Sequence, residues 1–434
     1  INIIMQNLQY ISQNIAWCSP LTLASQIDES HWILLYSGVR NSYSGRYSFL
    51  ACGLREQIKS DDFLKLSSNL SNNKPLFENA WFGYLGYELK NTLEDSERSQ
   101  ASWLNLPALH MMRFGNIYQF DHDTNILTLW SDGKLPLLNI NQQKTKTSPP
   151  SAINITSNMT HDEYLNKAEC IIKKIHSGDL YQANLTRKFY GEFTYTPNHF
   201  QLFEKLCAVS PAPYSAFIRL DDNYILSSSP ESFLNIDTEG NIITRPIKGT
   251  APRSTDKKTD DILRKQLQES EKDRAENLMI VDLMRNDLSK SCVVGSIKTD
   301  ALFDVTTHAT IHHLSSTVSG KKTPDCSTLD VVKAAFPAGS MTGAPKISAI
   351  NLCAKLEKQE RGVYSGAIGW FGGDGSCDLS VVIRTLLIKD KKFEFQVGGG
   401  IVADSTPQNE LEELINKAKG ILLALEIPVS SIKF

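Results

Sequence analysis

Lys248 stands in the run PIKGTAPR, between a proline-fixed approach and a residue without a side chain. An amine placed there can attack carbon, provided it is partly neutral, and Arg245, Arg253 and a bound cation nearby would favour the free base. Pro246 limits the backbone and Gly249 clears space, so the sequence predicts a tight turn that brings the amine close to a ligand. The plainer alternative is a solvated turn lysine. Other charged residues raise the same choice. Glu231, in SSSPESF, is either a general acid raised by partial burial or a strand-end carboxylate in solvent. Glu276, in AENLMIVDLMRNDL, lies among Leu278, Met279, Val281 and Leu283, so it is either salt-bridged within the segment or bound to a cation. Arg384, in SVVIRTLLI, is a cation in a nearly continuous apolar strand, which must be paired or grip an anion bidentately. His313, in IHHLSST, is a donor toward a ligand or a satisfied structural histidine.

The elements that would carry these groups are legible in the spacing. Leu411, Leu414, Ile415, Ala418, Leu422 and Leu425 define the buried stripe of a last helix, begun by Ser405, Thr406 and Pro407. Glu410, Glu413 and Lys417 form a second stripe, either a solvated face or a set of charges aimed at a neighbour. Gly398, Gly399 and Gly400 follow a short strand. Their amides could meet a carboxylate, or they could be a structural hinge. The segment from Asp260 to Asp287 reads as one long helix. Two acidic helices without Cys or His ligands suit a hard ion such as Mg2+, held by one or two carboxylates plus substrate. Thr160, with Asp162 and Glu163 behind it, opens another helix through Ala168, Ile171, Ile172 and Ile175. Short alternating runs around Trp32, Arg46 and Asn116, and later YSAFIRL, YILSSSPESFLNI and NIITRPIK, read as strands and hairpins. The polar stretch Asn141–Thr160, with its Pro-Pro pair, reads as a linker between an N-terminal β-rich lobe over 1–145 and a C-terminal lobe over 155–434. Helices and antiparallel strands without regular βαβ alternation indicate an α+β body.

Composition narrows the function classes. The 434 residues carry a formal net charge of −3 with 41% hydrophobic and 21% charged residues, and no basic tract, so nucleic acid is not an expected partner. The eight cysteines form no CxxC pair or Cys/His cluster, which points to free thiols rather than zinc or disulfides. No stretch approaches a membrane span and no basic leader precedes an apolar core, so a cytoplasmic protein is expected.

The runs YQANLTR, SPESF, RPIKGTAPR, AENLMIVDLMRNDL, HHLSST, AFPAGSMTGAPK, GAIGWF, VVIRT and GGGIVADS occur in the order of the chorismate-utilising enzymes. The chain resembles that family over nearly its whole length, most densely from Tyr181 to Lys419. The resemblance implies two facing antiparallel β-sheets with helices packed outside. It implies chorismate as substrate and Mg2+ as cofactor, with Glu276 and Glu413 as metal ligands and Glu410 close by. Arg384 and Tyr364 would hold the enolpyruvyl carboxylate, Lys417 and the amides near Gly399 and Gly400 the ring carboxylate, and His313 and Thr342 would line the ring site. Glu231 would help the C4 hydroxyl leave. Gln182 stands where the isochorismate and salicylate branches carry a water-activating lysine, which disfavours water addition. Lys248 stands where the anthranilate branch has alanine, and PIKGT marks the branch that aminates C4 through a covalent lysine adduct and keeps pyruvate. Anthranilate formation, or a non-catalytic subunit that only binds chorismate or tryptophan, are the alternatives. The chain has no glutaminase nucleophile elbow, so the resemblance implies a separate glutamine amidotransferase partner supplying ammonia. Ser37, Pro213 and Tyr214 resemble parts of a tryptophan pocket found in some relatives, or are a plain strand pair and proline turn.

Overall fold

The computed structural model describes residues 10–40, 43–133, 152–307 and 311–428. The first stretch builds β1 (Ile11–Ile15), α1 (Pro20–Ala24), β2 (His31–Tyr36), β3 (Tyr47–Ser60), α2 (Leu64–Ser67), β4 (Trp81–Leu85), β5 (Leu109–Asp121) and β6 (Ile126–Ser131). There follow β7 (Ala152–Ser157), α3 (His161–His176), β8 (Gln182–Phe193), α4 (His199–Val209), β9 (Tyr214–Leu220), β10 (Asn223–Ser229), β11 (Ser232–Ile236), β12 (Asn241–Arg245) and β13 (Ile247–Pro252). The last part holds α5 (Lys257–Glu269), α6 (Glu271–Ser289), β14 (Lys298–Thr307), β15 (Ile311–Lys321), α7 (Thr328–Ala335), β16 (Gly343–Ala344), α8 (Lys346–Glu357), β17 (Ala367–Phe371), β18 (Cys377–Val381), β19 (Thr385–Lys389), β20 (Lys392–Ile401) and α9 (Pro407–Ala424).

The ladders are antiparallel and run through one shared strand. Along one edge β5 pairs with β3; along the other its first half pairs with β4 and its second half with β6. From β3 one limb continues through β2, β9, β10, β19, β20 and β8 to β7. From β4 the other continues through β17, β18, β11 and β12 to β15, which also carries β13 and β14. The two limbs face each other: Ile33, Ile218, Ile225 and Leu387 of the first share one apolar cluster with Phe82, Tyr84, Ile368 and Val382 of the second. Helices cover the outer faces, with α3, α4 and α9 on the first limb and α6 and α7 on the second. This is the expected α+β arrangement of two facing sheets with helices outside. Among the described residues no helix is long and apolar enough to cross a membrane.

Local chemistry explains the helix starts. At α3 the Thr160 side chain accepts from the Glu163 N–H while Glu163 reaches back to the Thr160 N–H, a reciprocal cap. At α9 Thr406 caps and Pro407 occupies the first turn. The predicted helix Asp260–Asp287 is instead two. Ser270, extended at ψ 112°, ends α5 and caps α6 by accepting from the Asp273 N–H. A hydroxyl that satisfies an orphan amide, a contribution of about 1 kcal/mol, makes the break favourable there. The predicted linker also differs. Its residues 141–151 lie outside the described part, but Ala152–Ser157 form β7 against β8.

Candidate active site

Lys248 sits in a β-bulge rather than a turn. Ile247 pairs with Ser315 and Thr250 with His313, so Lys248 and Gly249 together oppose Leu314. Two residues against one bend the strand and re-aim its side chains. Gly249 adopts φ +81°, and a Cβ on it would lie 2.8 Å from Asp273 Oδ1 of α6, so only glycine lets the helix approach so closely. On the far side a Cβ on Gly400 would lie 3.3 Å from Lys248 Nζ and 2.8 Å from Gln182 Nε2. The amine therefore faces β20 and the start of β8. Burial holds it below the ordinary lysine range, with Lys417 adding to the effect and Glu276, Glu231 and Glu413 opposing it.

Glu231 lies between β10 and β11 and is buried, 6% exposed. Burial pushes its carboxyl up, against the pull of a Ser340 hydrogen bond, Lys248, the Ile247 N–H and Lys417. A carboxyl shifted toward its protonated form and an amine shifted toward its free base have the directions an acid–nucleophile pair needs. Arg384 is not inside a strand, as its apolar neighbours suggested. It stands between β18 and β19 at φ +51°, a left-handed conformation that costs a non-glycine residue about 1–2 kcal/mol. Burial lowers its guanidinium and the charge of Glu231 offsets that.

The acidic stripe of α9 belongs to the same site, for Glu413 and Lys417 act on the Lys248 amine together with Glu231 and Glu276. Glu410 is 2% exposed; its Oε1 accepts from Ser405 Oγ at 2.6 Å, and its Oε2 is buried with no partner. A Cβ on Gly399 would lie 3.0 Å from that Oε2. Glu413 pairs with Lys417 at 2.7 Å, and Lys417 Nζ donates to the Gly398 carbonyl at 3.0 Å. Glu276, from α6, has Lys272 only at 3.9 Å. Burial raises Glu276, with Glu413 contributing. For Glu413 burial acts upward too, but Lys417 with Lys248 and Lys272 outweighs it and leaves the carboxyl low. Among the described residues no three His, Cys, Asp or Glu side chains form a metal shell by themselves. A hard ion needs only one or two carboxylates plus substrate and water, and Glu276, Glu413 and the orphan oxygen of Glu410 are acceptor-only groups of that kind. These residues fit a magnesium ion.

The remaining predicted residues divide. Gln182 is fully buried with neither amide atom partnered, at the Gly400 corner of the cavity. Tyr364 is buried, which pushes its phenol far up and keeps it a donor. His313 lies buried on β15 opposite Thr250, beside the bulge. Thr342 is buried, but its hydroxyl donates to the Gly339 carbonyl at 3.2 Å. Gly400 and Gly399 play different parts. Asn184 and Thr186 turn their N–H groups away from β20, to Thr342 O and Glu357 Oε1, so the backbone groups of their partners Gly400 and Gly398 turn to the opposite edge of β20, where the Gly398 carbonyl takes Lys417. By alternation the Gly399 amide is spent on Leu185, and Gly399 contributes room for Glu410 rather than a donor. Ser37, Pro213 and Tyr214 do meet, yet the Ser37 hydroxyl is used on the Tyr47 and Pro213 carbonyls at 2.7 and 3.2 Å. Tyr214, pushed up to about 12 by burial, is engaged with Ser232 and Ser44. Ser340, which holds Glu231, was not singled out in the sequence, and Ser405, which holds Glu410, was read only as part of the start of the last helix. Their position inside the runs AFPAGSMTGAPK and GGGIVADS was the available signal.

A family profile described as chorismate binding enzyme matches residues 28–423. The chain belongs to the chorismate binding enzymes. It is similar to the aminodeoxychorismate synthase component 1 of Salmonella typhimurium, 39% identical over 81% of this chain and 77% of that protein. An anthranilate synthase component I-like protein of Synechocystis is 34% identical over 84% of this chain and 76% of its own. Among solved chorismate binding enzymes, anthranilate synthase component I from Streptococcus pneumoniae superposes with a TM-score of 0.77 at 27% identity, over 93% of this chain and 97% of that one. The menaquinone-specific isochorismate synthase of Escherichia coli shares the fold, with a TM-score of 0.79 at 16% identity over 96% and 94%.

Proposed function

We propose that this chain converts chorismate and ammonia to 4-amino-4-deoxychorismate, the activity of an aminodeoxychorismate synthase component 1. The observation that carries the reading is the Lys248 bulge, which aims a deprotonation-prone amine at the cavity shared by Glu231, Glu276 and Glu413. Lys248 forms a bond to C2 of the ring, both ring double bonds shift (C1=C2 to C1=C6 and C5=C6 to C4=C5), and the C4–O bond breaks as Glu231 gives its proton to the departing hydroxyl, releasing water. Ammonia then bonds to C4, both double bonds shift back, and the C2–N bond to Lys248 breaks. The amine returns and Glu231 recovers a proton from the incoming nitrogen. Glu276 and Glu413, with Glu410 beside them, would hold Mg2+, which supplies charge neutralisation and orientation of the anionic substrate. Arg384 and Tyr364 would hold one carboxylate of the substrate, and Lys417 with the Gly400 edge the other. Gln182 supplies no base to activate water.

The name "component 1" borne by these relatives supports a second component, and the chemistry needs a source of ammonia. A glutamine amidotransferase is the partner we assign to it. The test incubates the chain with chorismate, Mg2+ and ammonium salts and identifies the product by mass. A product that retains the pyruvyl group is expected. Fluorescent anthranilate with free pyruvate would replace this reading by its rival, and chorismate binding without turnover, even with the amidotransferase present, would make the chain a binding subunit.

A further inference from the structure

Behind the cavity lies a guanidinium that none of the chemistry above uses. Arg361, between α8 and β17, is 2% exposed and donates through all three of its nitrogens. Nε and Nη2 reach the two oxygens of Glu357 at 2.9 and 2.7 Å. Nη1 reaches the Met341 carbonyl at 2.7 Å and Ser365 Oγ at 3.3 Å, and Nη2 also reaches the Asn184 carbonyl at 2.8 Å. Apart from Glu357, each of these acceptors adjoins a residue expected at the chorismate site. Met341 precedes Thr342, Asn184 lies two residues beyond Gln182 on β8, and Ser365 follows Tyr364.

We propose that Arg361 is a positioning residue for chorismate turnover, clamping three cavity-bearing segments to one planar fork. A fork of fixed geometry sets mutual spacing in a way a point charge cannot. Glu357 completes the device: its Oε1 also accepts the Thr186 N–H at 2.9 Å, tying the next turn of β8 to the same centre. Asn184 closes it, since its N–H goes to the Thr342 carbonyl at 2.8 Å while its own carbonyl goes to Arg361. Lys248, Glu231 and Arg384 hang on other elements, so the clamp governs one wall of the cavity and not the whole.

The inference rests on the chorismate reading, and its test separates the two. Arg361→Lys keeps the charge and loses the fork; Arg361→Met with Glu357→Met removes the pair without leaving a buried lone charge. The control is Arg55→Met with Asp132→Asn, which removes a pair joined at 2.5 Å in the other half of the molecule. Both Arg361 variants should lose at least thirtyfold in kcat for chorismate with KM moved less than fivefold, while the control keeps the parental kcat. Hydrogen exchange at the Asn184 amide, read without turnover, should be at least tenfold faster in the Arg361 variants and unchanged in the control. A folded Arg361 variant with parental kcat and parental exchange at Asn184 would overturn the clamp. A parent that does not turn over chorismate would overturn the functional reading instead, leaving exchange at Asn184 to decide the clamp.

Discussion

The front and the back of β8 handle buried polar groups in opposite ways. At the back every oxygen of Glu357 and Glu88 accepts a hydrogen bond, the Arg361 nitrogens are all used, and Lys188 meets Glu394 at 3.1 Å. At the front Gln182 has neither amide atom satisfied, Glu410 leaves an oxygen bare, and Glu413 adds to the burial cost of Glu276. An unmade buried hydrogen bond costs about 1–3 kcal/mol, so the front is a destabilised surface held open by a saturated one. The difference assigns roles: groups at the front wait for a ligand, and groups at the back fix where those groups wait.

The largest effect should come from removing the front amine. Lys248→Met should cut chorismate amination at least a thousandfold, about 4 kcal/mol of barrier, while the protein becomes no less stable at pH 7. The sign follows from its depressed folded value: a lysine that sheds its proton on burial costs stability at pH below its unfolded value, and that cost disappears as pH rises. In the parent, activity should rise as Lys248 deprotonates below the ordinary lysine range and fall as Glu231 loses its proton above the ordinary carboxylate range. Mass analysis of a quenched turnover should show the chorismate adduct on Lys248. Parental rates in Lys248→Met with no adduct in the parent would remove covalent catalysis from the account.

The back should respond in the other currency. Glu357→Leu strands the Arg361 charge among buried neighbours, and loss of one partner of such a pair costs about 3–5 kcal/mol. Urea unfolding should show that loss. A variant as stable as the parent would mean that the back is no more committed than the front, and the contrast between them would dissolve. At the front, Glu276→Gln should do the reverse, raising the Mg2+ needed for half-maximal turnover about tenfold while increasing stability. Its carboxyl is raised by burial, so the ionised form costs stability at neutral pH and the amide does not. The Mg2+ dependence of chorismate turnover checks the first part and thermal unfolding at pH 7 the second. Unchanged metal demand would take Glu276 out of the metal site.

How much of this contrast was legible beforehand depends on whether it was local. The α9 stripe of Glu410, Glu413 and Lys417 follows from helical spacing, and Thr406 with Pro407 marks its start within one residue. The α3 cap at Thr160 was equally readable. The bulge at Lys248 was not, because it depends on the register of β13 against β15, sixty-odd residues away in sequence. Arg384 misled for a related reason. Its apolar neighbours give the pattern of a continuous strand, and only the positive φ reveals the bend between β18 and β19. The Arg361 network was invisible, since its acceptors are mostly backbone carbonyls, which every residue has. Ser270 was a missed cap in plain sight: a serine three residues before Asp273 in an otherwise helical run.

The smallest effect tests whether the saturated back is as inert as its hydrogen bonds suggest. Glu88 accepts the N–H groups of Arg361 and Gly362, both at 2.9 Å, and so fixes the turn that leads to Tyr364. Burial nevertheless pushes its carboxyl up to about 7, with Glu360 adding to the rise and Lys90 and the Arg361 N–H opposing it. A folded value above the unfolded 4.5 means that its contribution to stability is complete below pH 4.5 and is lost as pH rises through 7. The parent's melting temperature should therefore decline by a degree or two between pH 5 and 8, and Glu88→Gln, lower throughout because an amide accepts less well, should trace a flatter curve. Parallel curves would show that Glu88 stays ionised across that range. The two backbone donors would then suffice to hold a buried charge, the back would be insensitive to pH, and any pH dependence of turnover would belong to the front alone.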